Sequence, residues 1–200
     1  MTFIVRHLGL IDYQDAWQRM RNFTDTRDTH TPDEVWLLEH PKVFTQGQAG
    51  LAAHILNAGD ITVVQTDRGG QVTYHGPGQL VVYLLFDLKR LNISIRQFVT
   101  LLEQAVINVL APYNIIAYGD RKAPGVYVDG AKICAIGLRV RHGCSYHGIA
   151  FNINMDLEPY ARINPCGFEN LRLTQTKDLG GPDNVALAGQ LFIQELKKLI

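Results

Sequence analysis

The reading of Gly125–Asn154, GVYVDGAKICAIGLRVRHGCSYHGIAFNIN, decides the fold. Val126-Tyr127-Val128 and Ala131 to Val140 flank the pair Asp129-Gly130, the form of a hairpin closed by a tight turn. Cys144 to Asn154 reads as a further strand. Strands therefore arrive in runs rather than in strict βαβ alternation. That pattern predicts an α+β domain with a mixed, mostly antiparallel sheet flanked by helices.

Working outward, Phe3 to Leu8 reads as an opening strand. Asp12 to about Thr26 carries Tyr13, Trp17, Met20 and Phe23 at the spacings of an amphipathic helix. Glu34 to Glu39 is a short apolar strand, followed by the turn-rich HPKVFTQGQAG (40–50). Ile61 to Gln65, Gln71 to Tyr74 and Gln79 to Leu85 are further strands, the last two separated by an HGPG turn. Ser94 caps a helix that runs to about Leu110 and stops before Pro112. Val185 to Ile200 has a helical pattern with Asp183 or Asn184 as its cap.

The 200 residues suit one compact domain, residues 1–200, with no linker or internal repeat. Nineteen basic against nineteen acidic side chains give a net charge of zero, which argues against a broad nucleic-acid face. The longest apolar run, Leu80 to Phe86, has seven residues, far short of a membrane span. The first residues lack the pattern of a secretory signal. Three cysteines, without a CxxC pair, argue against a disulfide scaffold or structural zinc and favour a reducing, cytoplasmic setting.

Two features carry chemistry. Arg68-Gly69-Gly70-Gln71-Val72-Thr73-Tyr74-His75-Gly76-Pro77-Gly78-Gln79 holds four glycines and a proline in twelve residues. It is either a glycine-rich turn or a place where backbone approaches a ligand closely. It is not a phosphate loop, having neither GK[ST] nor GxGxxG opening a helix. The second feature is the thiols. Cys134, in AKICAIG, reads as a small buried hydrophobe. Cys144 stands near His142 and His147, at spacings that match no common zinc pattern. Cys166, in the turn Ile163-Asn164-Pro165-Cys166-Gly167, is the loop thiol, either incidental or nucleophilic. Lys132 either points to solvent or turns inward, where desolvation would lower its pKa towards neutrality. A Cys166–His pair using His75 or His147 is the other way to activate the sulfur.

RGGQVTYHGPGQLVVYLL, GVYVDGAKICAIGLRVRHGCSYHGIAFNINMDL and INPCG, with LEHPKVFTQGQAG upstream, resemble the octanoyl-[acyl-carrier-protein]:protein N-octanoyltransferases, also called lipoyl(octanoyl) transferases. The match runs in order from about Leu38 to Cys166. The resemblance implies the α+β catalytic core shared with biotin and lipoate protein ligases. It also implies octanoyl transfer from acyl carrier protein to a lysine of a lipoyl domain, in 2-oxoacid dehydrogenase complexes and the glycine cleavage H protein. The acyl-thioester cysteine then corresponds to Cys166 and the lysine that lowers its pKa to Lys132. The acyl-binding segments correspond to Arg68, Gly69, Gly70, Gln71, Val72, Thr73, Tyr74 and His75, to Ala135-Ile136-Gly137, and to Gly148-Ile149-Ala150. No metal or cofactor is expected. The competing readings are an ATP-dependent lipoate or biotin ligase of the same fold, and a non-catalytic acyl-binding protein.

Overall fold

The computed structural model describes residues 2–169 and 171–200. In chain order they form β1 (Ile4–Leu10), α1 (Tyr13–Thr26), β2 (Glu34–Glu39), β3 (Val43–Gln46), β4 (Thr62–Gln65), β5 (Val72–His75), β6 (Gln79–Leu85), α2 (Leu88–Leu91) and α3 (Ile95–Leu110). There follow β7 (Tyr118–Gly119), β8 (Gly125–Val128), β9 (Ala131–Arg141), β10 (Cys144–Asn152) and α4 (Val185–Leu199).

The helices begin where the sequence places their caps. Asp12 accepts hydrogen bonds from the N–H groups of Gln14 and Asp15 at the start of α1. Ser94 and Gln97 form a reciprocal capping box at α3, and Asn184 accepts from Leu187 N–H at α4. Such caps satisfy N–H groups that the first helical turn leaves unpaired.

The larger sheet has seven strands in the order β1-β2-β6-β10-β9-β8-β7, antiparallel except for the parallel pair β1–β2. A smaller sheet runs β4-β3-β5, with β3 parallel to β4 and antiparallel to β5. The mixed, mostly antiparallel α+β sheet is as the sequence indicates. The stretch 40–50, read as turn-rich, instead contains β3. Val43 to Gln46 are all buried and pair on both sides, so neighbouring strands override the weak local signal.

One face of the larger sheet packs against α3 and α4, where Phe98, Leu102, Val106, Phe192 and Leu196 meet Val82, Leu84, Ile149 and Phe151. Burying each of those phenylalanines stabilises the fold by roughly 2–3 kcal/mol. On the opposite face, Ala16 and Met20 of α1 pack on Trp36, Leu38, Val81, Tyr83, Leu85 and Tyr146. The smaller sheet and the 66–71 segment cover that same face over β9 and β10, where Gly69 N–H donates to Leu138 C=O at 3.1 Å. The site lies beneath this cover. No helix among the described residues is long and apolar enough to cross a membrane.

Candidate active site

Cys166 sits in a 3-10 turn, Pro165–Gly167, and adopts φ 57°, ψ 15°. A left-handed conformation costs a non-glycine residue about 1–2 kcal/mol and persists where neighbours impose it. They do so here. Asn164 N–H donates to His54 C=O, Gly167 N–H to Asn164 C=O and Phe168 N–H to Pro165 C=O. Gly167 also lies against the side chains of Gln71 and His54. The thiol is thus presented on a turn clamped between the 51–57 segment and the glycine-rich segment.

Lys132 points inward and is only 2% exposed. Its Nζ lies 3.1 Å from Cys166 Sγ and 5.1 Å from the centre of the Tyr127 ring. The backbone of Lys132 is held by the chain that follows the cysteine turn: its N–H donates to Arg172 C=O, and Thr174 N–H donates to its C=O. Burial pushes the Lys132 ammonium down, as expected of an inward lysine. The Cys166 sulfur and the Tyr127 hydroxyl push it up by more, so the balance lies above the ordinary lysine value. The expected drift of Lys132 towards neutrality is therefore reversed, and it stays an ammonium. Neither His75 nor His147 bonds to Cys166. His75 is held by Gln79 and Thr45, and His147 by Asp67.

Cys166 and Lys132 line a cavity of about 430 Å³. All of Arg68, Gly69, Gly70, Gln71, Val72, Thr73, His75, Ala135, Ile136, Gly137, Gly148, Ile149 and Ala150 line it too. Tyr74 does not. Side chains alternate along β5, so Tyr74 turns with Val72 into a separate core beside the smaller sheet, 5.6 Å from Phe44 and 5.4 Å from Tyr160 between ring centres. In register, Ala135 stands opposite Ala150 and Gly137 opposite Gly148, so the sheet offers small side chains where the cavity passes. Tyr13, Val81, Tyr83, Leu138 and Phe168 also line it. Sequence reading missed them because they come from separate elements and carry no motif.

Arg68 roofs the cavity without a carboxylate partner. Its guanidinium donates to Thr45 Oγ1 and C=O, to Gly69 C=O and to Gln71 C=O. These bonds lock the glycine-rich segment over Gly137, whose open side faces Gly69 O and Arg68 Cδ.

Of the other thiols, Cys134 is wholly buried and burial pushes it well up, while Cys144 is buried and also pushed up. Both are poor nucleophiles beside Cys166. Among the described residues no group of three or more His, Cys, Asp or Glu side chains is arranged to hold a metal ion.

Residues 12–198 match the lipoyl protein ligase A/B catalytic domain. A protein of Shewanella putrefaciens (strain CN-32 / ATCC BAA-453) named octanoyltransferase is 60% identical over 199 residues, covering 100% of this chain and 91% of that one. Among solved structures, lipoate-protein ligase A bound with ATP has a TM-score of 0.83 at 14% identity, covering 100% of this chain and 85% of that one. The biotin protein ligase from Aquifex aeolicus has a TM-score of 0.60 at 12% identity, covering 100% and 69%. At such identities the structural likeness is one of fold. The chain belongs to the lipoyl protein ligase A/B catalytic-domain family. Within it, this chain is an acyltransferase of the octanoyl-transferring kind for which its 60%-identical relative is named.

Proposed function

We propose that Cys166 takes an octanoyl group from the thioester of acyl carrier protein and passes it to a lysine of a lipoyl domain. The 3.1 Å approach of Lys132 Nζ to Cys166 Sγ, at a cavity passing over Ala135, Gly137, Gly148 and Ala150, carries this reading. An ammonium in that position stabilises negative charge on the sulfur. An adenylating ligase would have no use for the thiol. The unpaired cysteines fit a reducing compartment, the cytoplasm.

The first half-reaction forms a C–S bond between Cys166 and the acyl carbonyl and breaks the carbonyl's bond to the carrier sulfur. The departing carrier thiolate takes a proton from Lys132, leaving that side chain a neutral amine. In the second half Lys132 recovers a proton from the incoming lysine ammonium, whose freed amine attacks the acyl-cysteine. The amide forms, the Cys166–acyl bond breaks, and the second proton of the substrate nitrogen goes to solvent. Exchange between thioesters is near balance and thioester to amide runs downhill, so no nucleotide is required. Lys132 serves both halves as one proton carrier.

Incubation with octanoyl-carrier protein and no acceptor is expected to add one octanoyl group at Cys166, located by peptide mass spectrometry. Cys166→Ala and Cys166→Ser should abolish transfer. Near-normal turnover by either, or an adduct on Cys134 or Cys144, would assign the wrong nucleophile.

A further inference from the structure

We infer that Tyr13, Tyr83 and His147 form the end wall of the acyl cavity and set the longest chain that can be transferred. This rests on the acyl-transfer reading of Cys166 and goes beyond it, to residues outside the glycine-rich and small-residue segments.

The register fixes where the wall stands. Along β9 the cavity passes Lys132, then the pair Ala135–Ala150, then the pair Gly137–Gly148; His147 is opposite Leu138, one step beyond the last small pair. From Lys132 to Gly137 is about 17 Å at the usual strand rise, and the lysine side chain and the cysteine turn occupy part of it. An extended eight-carbon chain is about 10 Å long, the rise of three strand residues, so it fits in what is left. A twelve-carbon chain reaches the wall.

His147 faces the cavity because its backbone does not follow the strand. Its φ of 58° turns the ring to the side of Tyr146, and the two rings stack 5.0 Å apart instead of pointing to opposite faces. Tyr83, opposite Gly148 on β6, meets the His147 ring edge-on at 6.0 Å. Each wall group is tied from behind by a residue that does not line the cavity. Asp67 accepts from His147 Nε2 at 2.9 Å, His40 Nε2 bonds the Tyr83 hydroxyl at 2.7 Å, and Tyr13 donates to Thr66 Oγ1 at 3.2 Å. Asp67 is fixed in turn by Tyr146 and Trp17. The wall cannot swing aside without breaking buried hydrogen bonds.

His147 is closely packed: it is 1% exposed, its Nε2 is committed to Asp67, and its Nδ1 is buried without a hydrogen-bond partner. The wall therefore stops the chain by size.

The test is a chain-length series of hexanoyl, octanoyl, decanoyl and dodecanoyl thioesters of pantetheine with a lipoyl-domain acceptor, comparing kcat/KM. The native protein should show a break between eight and twelve carbons, with dodecanoyl at least about tenfold below octanoyl. His147→Gly opens the wall, and glycine accepts the positive φ, so the octanoyl-to-dodecanoyl ratio should fall by about tenfold. Tyr83→Leu shortens the wall from β6 and should move the ratio in the same direction. A smooth native profile without a break, or an equal loss at every length in both variants, would overturn the wall. No transfer at any length by the native protein would overturn the acyl-transfer reading as well.

Discussion

Lys132 reaches Cys166 from the interior of β9, ammonium to sulfur at 3.1 Å, while its own backbone is gripped by Arg172 and Thr174 on the far side of the cysteine turn. Thirty-four positions separate the two residues. The same short stretch of chain thus presents the sulfur and steadies the strand that carries its counter-charge. Because the pair raises the lysine's affinity for its proton, Lys132 enters the reaction charged.

Lys132→Ala should retain a cooperative melt and load Cys166 at least about a hundredfold more slowly. Lys132→Arg keeps the charge but cannot give up a proton. It should therefore slow both loading of Cys166 and its discharge to acceptor, each by about a hundredfold in intact-mass time courses. Native-like rates in either half-reaction would count against a proton carrier that serves both.

Arg68→Met removes every donor from the roof while keeping most of its length. Thr45 and the carbonyls of Gly69 and Gln71 then lose buried, charge-assisted partners. Urea unfolding should register a loss of at least about 3 kcal/mol. At protein concentrations where the variant is folded, KM for the octanoyl thioester should rise more than kcat falls. Unchanged stability would mean the roof is held otherwise.

At Gly148 a Cβ would overlap the carbonyl oxygen of Val82 and crowd Leu84. The obstacle is backbone of a central strand, which cannot move without separating β10 from β6. Gly148→Ala is expected to cost more than about 4 kcal/mol or to prevent cooperative folding. A native-like melting temperature would show that the two strands separate easily.

Burial pushes His40 down to about 4, even though Ile11 C=O and Asp12 favour its charged form. In the unfolded chain a histidine titrates near 6.5. As pH falls from about 6.5 towards about 4, the unfolded state takes up a proton that the folded state refuses, so stability declines. At pH 5, His40 alone should account for a loss of about 2 kcal/mol. His75 and His147 are pushed in the same direction and add to it. Asp67, held well below the usual carboxylate range by His147, Tyr146 and Trp17 against its burial, contributes only when pH drops below about 4. Urea midpoints at pH 7.5 and 5.0 should differ accordingly, and His40→Gln should flatten the difference. Equal midpoints for the native protein would contradict a neutral, buried His40.

Much of this molecule is written locally. Caps at Asp12, Ser94 and Asn184, the Asp129-Gly130 turn, and the β-branched runs depend on hydrogen bonds and side-chain periods within a few residues. Those signals also sufficed to rank Cys166 above Cys134 and Cys144 as the thiol on a loop. β3 was not legible, because Val43 to Gln46 acquire their strand character from β4 and β5 on either side. Tyr74 stands in a run whose other members line the cavity, and the pleat of β5 turns its side chain, with that of Val72, into the core of the smaller sheet. His147 was legible as a histidine near a cysteine. Its actual partner, Asp67, lies 80 positions upstream.

The sequence by itself determined most of the elements, β3, α2 and β7 excepted, and the chemical types available at the site, since each follows from short-range sterics and hydrogen bonding. Only the tertiary structure decided that Lys132 meets Cys166, that its proton is held more tightly rather than less, and that His147 closes the far end of the cavity. Those outcomes depend on distances between groups far apart in the chain and on how deeply each is buried, and both are set when the two sheets and the helices pack together.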